Sequence, residues 1–196
     1  MRLKLTALTM GLLTLMGCSG MDAKQFANVE PRFVLEDYFQ GTTNATGIFI
    51  DRFGGLRRQF TVTIDGSWNG KELILDERFV YSDGEKDRRV WRITKRDDHT
   101  YEGRADDVIG LATGSTYGNA LHWQYDLDLK VGDGTWQVKF DDWMFLQADG
   151  VLLNKATVSK WGLEIGTVFI SFAREKPAAA MLEEPNFVPR VVAKAG

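Results

Sequence analysis

The stretch GNALHWQYDLDLKV (residues 118–131) alternates almost without a fault. Leu121, Trp123, Tyr125, Leu127, Leu129 and Val131 fall on one side, and His122, Gln124, Asp126, Asp128 and Lys130 on the other. Successive side chains of an extended chain point to opposite faces, so this is a strand with one apolar and one polar face. The same period of two recurs along the chain. It predicts strands over residues 46–53, 56–68, 71–82, 87–96, 100–108, 119–131, 135–147, 151–161 and 163–174.

The breaks between them carry turn chemistry. FGG (53–55), WNG (68–70), SDG (82–84), GDG (132–134) and ADG (148–150) supply the positive φ that tight hairpins need. Strands joined by short turns make an antiparallel meander, and a long meander escapes its exposed edges by closing. The expected fold is all-β: an up-and-down, lipocalin-like barrel of about 8–9 strands with a short N-terminal helix, a two-sheet sandwich being the rival. The helix is expected in PRFVLEDYF (31–39), where Val34, Leu35, Tyr38 and Phe39 fall at helical spacing. DDVIGLATGSTYGN (106–119), with glycines at 110, 114 and 118, is expected as a loop or wandering strand across a barrel end.

The chain opens on MRLKLTALTMGLLTLMGCSG (1–20): Arg2 and Lys4, then an apolar run from Leu5 to Met16. That run is far short of the ~20 residues that cross a bilayer, so residues 1–17 read as a signal peptide. LMGC (15–18) looks like a bacterial lipobox. Cys18 is the only cysteine, which excludes an intrachain disulfide and suits a lipidation site. More than one acyl chain anchors stably, at ~0.8 kcal/mol per buried CH₂. Ser19 after the cysteine implies the periplasmic face of the outer membrane of a Gram-negative cell. Residues 18–30 read as a lipidated tether, 31–175 as the barrel domain, and 176–196 as a disordered tail holding three of the four prolines.

Lys and Arg number 24 against 27 acidic residues, with no basic run, which argues against nucleic-acid binding. The chain has no nucleophile elbow and no Walker or Rossmann glycine pattern. Two histidines, His99 in a turn and His122 on a polar strand face, make no conventional zinc site. No metal or cofactor is expected.

Several predicted inward faces mix charge with apolar residues. Arg58 shares a face with Phe60 and Val62, Glu77 with Leu75 and Phe79, and Arg89 with Trp91 and Ile93. Asp142 goes with Phe140 and Met144, and Lys155 with Val151 and Leu153. Buried charges must be paired, so these form structural ion pairs or a polar floor for a ligand head group. The candidate ligand-binding set is Arg58, Glu77, Arg89, Trp91, Trp123, Tyr125, Asp142 and Lys155. Asp106–Asp107 and Asp141–Asp142 are adjacent pairs whose members point to opposite faces. Asn119 and Asn154 read as turn or ladder residues.

YFQGTTNATGIFIDRFGGLRRQF (38–60), GRADDVIGLATGSTYGNALHWQY (103–125), FDDWMF (140–145) and NKATVSKWGLEIG (154–166) resemble the blocks of the DUF3833 family of proteobacterial lipoproteins. The resemblance implies a lipocalin-like barrel over about residues 31–175. Members encoded near fatty-acid-modifying enzymes hint at a lipid ligand. Three functions follow as expectations. The first is a lipid-anchored barrel that binds or carries a hydrophobic small molecule, a fatty acid or related lipid. The second is an envelope-assembly lipoprotein with a packed barrel that binds a protein partner. The third is a lipid-modifying enzyme using Asp107, Asp142 or Glu77 as proton carriers.

Overall fold

The structure, a computed structural model, describes residues 20–175. The signal peptide, Cys18 and the tail from 176 onward lie outside the described residues.

Ten strands run β1 (Gly41–Asp51), β2 (Leu56–Trp68), β3 (Glu72–Tyr81), β4 (Lys86–Lys95), β5 (Thr100–Arg104), β6 (Val108–Tyr117), β7 (Ala120–Val131), β8 (Gly134–Leu146), β9 (Leu152–Lys160) and β10 (Leu163–Arg174). Each pairs antiparallel with its sequence neighbours, and β10 returns to β1 from Thr43↔Arg174 to Asp51↔Gly166. The sheet is therefore a closed barrel with no free edge.

The strand count exceeds the expected eight to nine because β6 occupies most of the stretch expected as a loop or wandering strand. Its glycines have separate jobs. Gly110 takes φ 73° where the β6–β7 register shifts between Ile109 and Thr113. Gly114 lies under the Trp123 ring, where a Cβ would come within 2.2 Å of Cε3. These glycines make a bulge and a ring seat, not a break in the strand.

The helix α1 is shorter than expected, Leu35–Phe39. It plugs the barrel end where β1, β3, β5, β7 and β9 begin. Phe33, Leu35, Tyr38 and Phe39 are buried against Ile64, Leu73, Ile93, Tyr101, Leu121, Leu152 and Phe172. Gly66 on β2 admits the Phe39 backbone, whose carbonyl oxygen would stand 1.6 Å from a Cβ there. Polar ties fix the plug. Glu36, 6% exposed, accepts from Lys95 Nζ on β4 and the Tyr101 hydroxyl on β5, both at 2.7 Å. The Tyr38 hydroxyl reaches the carbonyls of Gly150 and Phe172 at 3.2 Å.

Part of the expected tether is docked. A 3₁₀ turn, Ala23–Phe26, is capped by Asp22, and the Phe26 ring packs edge-on against Phe145 at 5.3 Å on the outer wall. The opposite barrel end, formed by the β1–β2, β3–β4, β7–β8 and β9–β10 hairpins, carries no helix among the described residues.

Candidate functional site

Above the plug the inward residues change character. Trp91 meets Trp123 edge-on at 5.7 Å and Tyr125 at 5.3 Å, and Tyr125 stacks on Phe140 at 5.0 Å. Trp123 fits because β5 and β6 offer Gly103 and Gly114 beneath it. Across the barrel, Phe60, Phe79 and Tyr81 form a second aromatic group on β2 and β3. Phe60 lies over Gly47, where a Cβ would meet its ring at 2.4 Å.

Polar groups stand between the two aromatic walls. Glu77 and Arg89 are cross-strand partners on β3 and β4. Arg89 does not close on Glu77. Its Nε donates to both oxygens of Asp107 at 3.0 Å, and Nη2 to Oδ2 at 2.7 Å. On the far wall Asp142 accepts from Asn154 Nδ2 at 2.9 Å. Asp142 and Asn154 are 5% and 3% exposed, and Asp142 Oδ2 and Asn154 Oδ1 find no donor among the described residues.

Burial governs the acids. It pushes Glu77 up to about 7, with Asp107 and Asp142 adding to the rise while Arg89 and the Trp91 indole oppose it. Burial likewise pushes Asp142 up to about 7, against the hydrogen bond from Asn154. The Tyr125 phenol rises well above its ordinary value, first through burial and then through Asp142. Burial works against the Arg89 cation, yet the surrounding acids and Tyr125 raise its pKa overall.

Glu77, Phe79, Arg89, Tyr125, Phe140 and Met144 all point inward, and each keeps part of its surface accessible. The upper interior is therefore a lumen whose inward residues keep some accessible surface, unlike the sealed lower layer of Leu73, Ile93 and Leu121. A mostly apolar cavity with a few converging polar groups is the usual form of a small-ligand site.

The structure thus brings together six of the eight expected site residues: Glu77, Arg89, Trp91, Trp123, Tyr125 and Asp142. Arg58 also faces inward but sits at the rim, paired with Asp83 and Glu85 and 3.6 Å over the Tyr81 ring. Lys155 is a correction. The hairpin closed by Gln147 N–H to the Val151 carbonyl starts β9 at Leu152, so Leu152, Asn154, Ala156 and Val158 face in. Leu153 and Lys155 face out. A one-residue slip reverses a whole strand, and both alternations of VLLNKATVSK contain apolar residues. Asn154 is a ladder residue, as expected, paired with Met144 and Ile170, and its side chain is buried on the inward face. Asp107, named for its charge, proves to be the partner of Arg89.

Outside the lumen, Asp141 points outward, as expected of a neighbour of Asp142. It accepts from Gln124 Nε2 and lies 3.1 Å from His122 Nε2. His122 stacks on Trp143 at 4.2 Å, and His99 on Tyr117 at 4.2 Å, so both histidines serve packing. An open groove of about 820 Å³ crosses the outer wall, with Phe145, Leu153, Phe169, Ile48 and Val80 among its lining residues and Lys155 at its side. It does not include the luminal acids.

None of the curated proteins matches this sequence. Among solved structures, the S-type phycobiliprotein lyase CPES from Guillardia theta is similar in fold, with a TM-score of 0.55 at 6% identity. The likeness covers 72% of this chain and 91% of that one. The likeness is one of fold: a closed antiparallel barrel of the lipocalin-like kind. The family model described as "Protein of unknown function (DUF3833)" matches residues 12–174, most of the chain, and the chain therefore belongs to the DUF3833 family.

Proposed function

We propose that the protein is a lipid-anchored lipoprotein of the outer membrane, facing the periplasm, whose barrel binds or carries a hydrophobic small molecule of the fatty-acid or related lipid class. The observation that supports binding is the upper lumen. Aromatic walls enclose Glu77, Arg89, Asp107 and Asp142, and the inward residues keep some accessible surface. A filled core has no use for two buried acids held near neutrality, because each costs stability that an apolar residue would not. A ligand with an apolar body and one polar end uses both features. The fold of the phycobiliprotein lyase is consistent with this reading.

Native mass spectrometry of the purified chain, with lipid extraction, tests it. A co-purifying lipid near one per chain is expected. An empty chain that takes up no amphiphilic probe would overturn the reading. The anchor is tested separately: Cys18→Ser should move the protein from the membrane fraction to the soluble one.

The outer groove favours a second reading, in which the wall binds a protein partner. Val80, Leu153 and Phe169 are exposed at 45%, 44% and 42% and lie together across β3, β9 and β10. Leu153→Glu should then abolish partner binding and leave luminal binding unchanged.

A further inference from the structure

The lumen is rich in acceptors and poor in free donors. Its one deep cation, Arg89, is engaged by both oxygens of Asp107. The other inward cations are occupied elsewhere: Lys95 at the plug with Glu36, Arg58 at the rim with Glu85 and Asp83. Lys160 lies 3.8 Å from the Trp136 ring centre at the far end of β9. Three carboxylates, Glu77, Asp107 and Asp142, thus face one guanidinium. The two buried luminal atoms without a donor, Asp142 Oδ2 and Asn154 Oδ1, are both oxygens on neighbouring strands β8 and β9. Opposite Asp142 the wall residue is Ala156, whose methyl group offers the carboxylate no donor.

We infer that the lumen selects an amphiphile whose polar end donates hydrogen bonds, an amine first and an alcohol second, over one ending in a carboxylate, with Asp142 and Asn154 as the head-group site. The inference rests on the ligand-binding reading of the lumen and moves its ligand class from the fatty acid itself to related lipids whose polar end is an amine or an alcohol. A carboxylate ligand would add a fourth negative group and find its natural partner, Arg89, already paired. An ammonium would give Asp142 Oδ2 and Asn154 Oδ1 the donors they lack and offset the excess negative charge. A hydroxyl would satisfy one of them without adding charge. At pH 8, above its value of about 7, Asp142 is ionised and has no proton of its own to offer Asn154 Oδ1.

The test titrates delipidated full-length protein with dodecylamine, dodecanol and dodecanoate at pH 8. Tryptophan fluorescence reports binding, since Trp91 and Trp123 form the lumen wall. About 0.5 M salt suppresses attraction of the amine to the acidic surface. Dodecylamine is expected to bind at least about tenfold more tightly than dodecanoate, the factor one charge-assisted hydrogen bond supplies, with dodecanol between them. Asp142→Asn should bring the amine and the carboxylate to within about threefold of each other, and Asn154→Ala should weaken amine and alcohol together. Dodecanoate binding as tightly as the amine in the wild type would overturn the inference while leaving a ligand-binding lumen in place. If no probe binds, the lumen reading falls, and the inference falls with it.

Discussion

Asp142→Asn should stabilise the protein at alkaline pH and leave it nearly unchanged in acid. An aspartate ordinarily titrates near 3.8, whereas burial holds Asp142 near 7. A group whose pKa rises on folding supports the fold fully below its unfolded value and loses that support as pH climbs through its folded one. Below about pH 4 Asp142 is neutral in both states. By pH 8 the folded chain must keep a buried carboxylate that the unfolded chain would hold in water. Three powers of ten in proton affinity amount to about 4 kcal/mol, an upper bound that water entering the lumen reduces. The amide cannot ionise, and its nitrogen adds a donor where Asp142 Oδ2 and Asn154 Oδ1 have none. Urea unfolding followed by tryptophan fluorescence at pH 4.5 and pH 8 measures the difference. The variant should gain roughly 2–4 kcal/mol over wild type at pH 8 and at most about 1 kcal/mol at pH 4.5. Carboxylates held low, such as Asp51, Asp76 and Glu36, cancel because they are common to both proteins. Equal effects at the two pH values, or a variant less stable at pH 8, would refute the reasoning.

Five other substitutions probe separate parts of the molecule. Glu36→Ala strands Lys95 and the Tyr101 hydroxyl at the plug, and should cost about 3–5 kcal/mol by chemical denaturation. Gly114→Ala drives a Cβ into the Trp123 ring and should lower stability by about 1–3 kcal/mol, with a changed tryptophan emission. Trp161 tips the β9–β10 hairpin at φ 54° and is 89% exposed, so Trp161→Gly should raise stability by up to about 1 kcal/mol in the same assay. In lipid-uptake measurements Lys155→Ala should match wild type because the side chain faces out. Arg89→Ala should leave Asp107 unpaired and lower stability by about 1–3 kcal/mol in urea unfolding.

Where one alternation was apolar throughout, the sequence disclosed both strand and face. Residues 120–131 are the clearest case: Leu121, Trp123, Tyr125 and Leu127 point inward as their spacing requires. The same rule placed Glu77, Arg89 and Asp142 inside, because each sits in phase with large apolar neighbours. Lys155 escaped it because β9 is apolar on both faces, and only the turn at residues 147–151 sets its phase. Asn154 was hidden by the same ambiguity. The glycines of β6 were misread for another reason. A glycine that seats an aromatic ring from a neighbouring strand looks locally like one that breaks a strand, and the difference lies in Trp123, across the sheet. Glu36 lies on a helix only five residues long, where periodicity carries little information, and its partners are distant in sequence.

The two barrel ends divide the physical work. The plugged end places its carboxylate, Glu36, in contact with an ammonium and a phenol, so its charge is matched within the chain. The luminal layer holds Asp142 and Asn154 with an acceptor each left over, although both are as well buried. A chain optimised for stability alone would treat the two layers alike, since an unmet buried acceptor costs about 1–3 kcal/mol. The plug makes that cost bearable. It joins α1 to β2, β4, β5 and β10 through packing and hydrogen bonds, which leaves the upper walls free to surround an unfilled space. Loss of the plug should therefore unfold the barrel, whereas filling the lumen should stabilise it. Replacing both partners by apolar residues, Asp142→Leu with Asn154→Val, should raise stability even as it abolishes amphiphile binding, because neither is left without its hydrogen-bond partner. Stability and binding moving together in that variant would mean that the buried acids serve the fold after all.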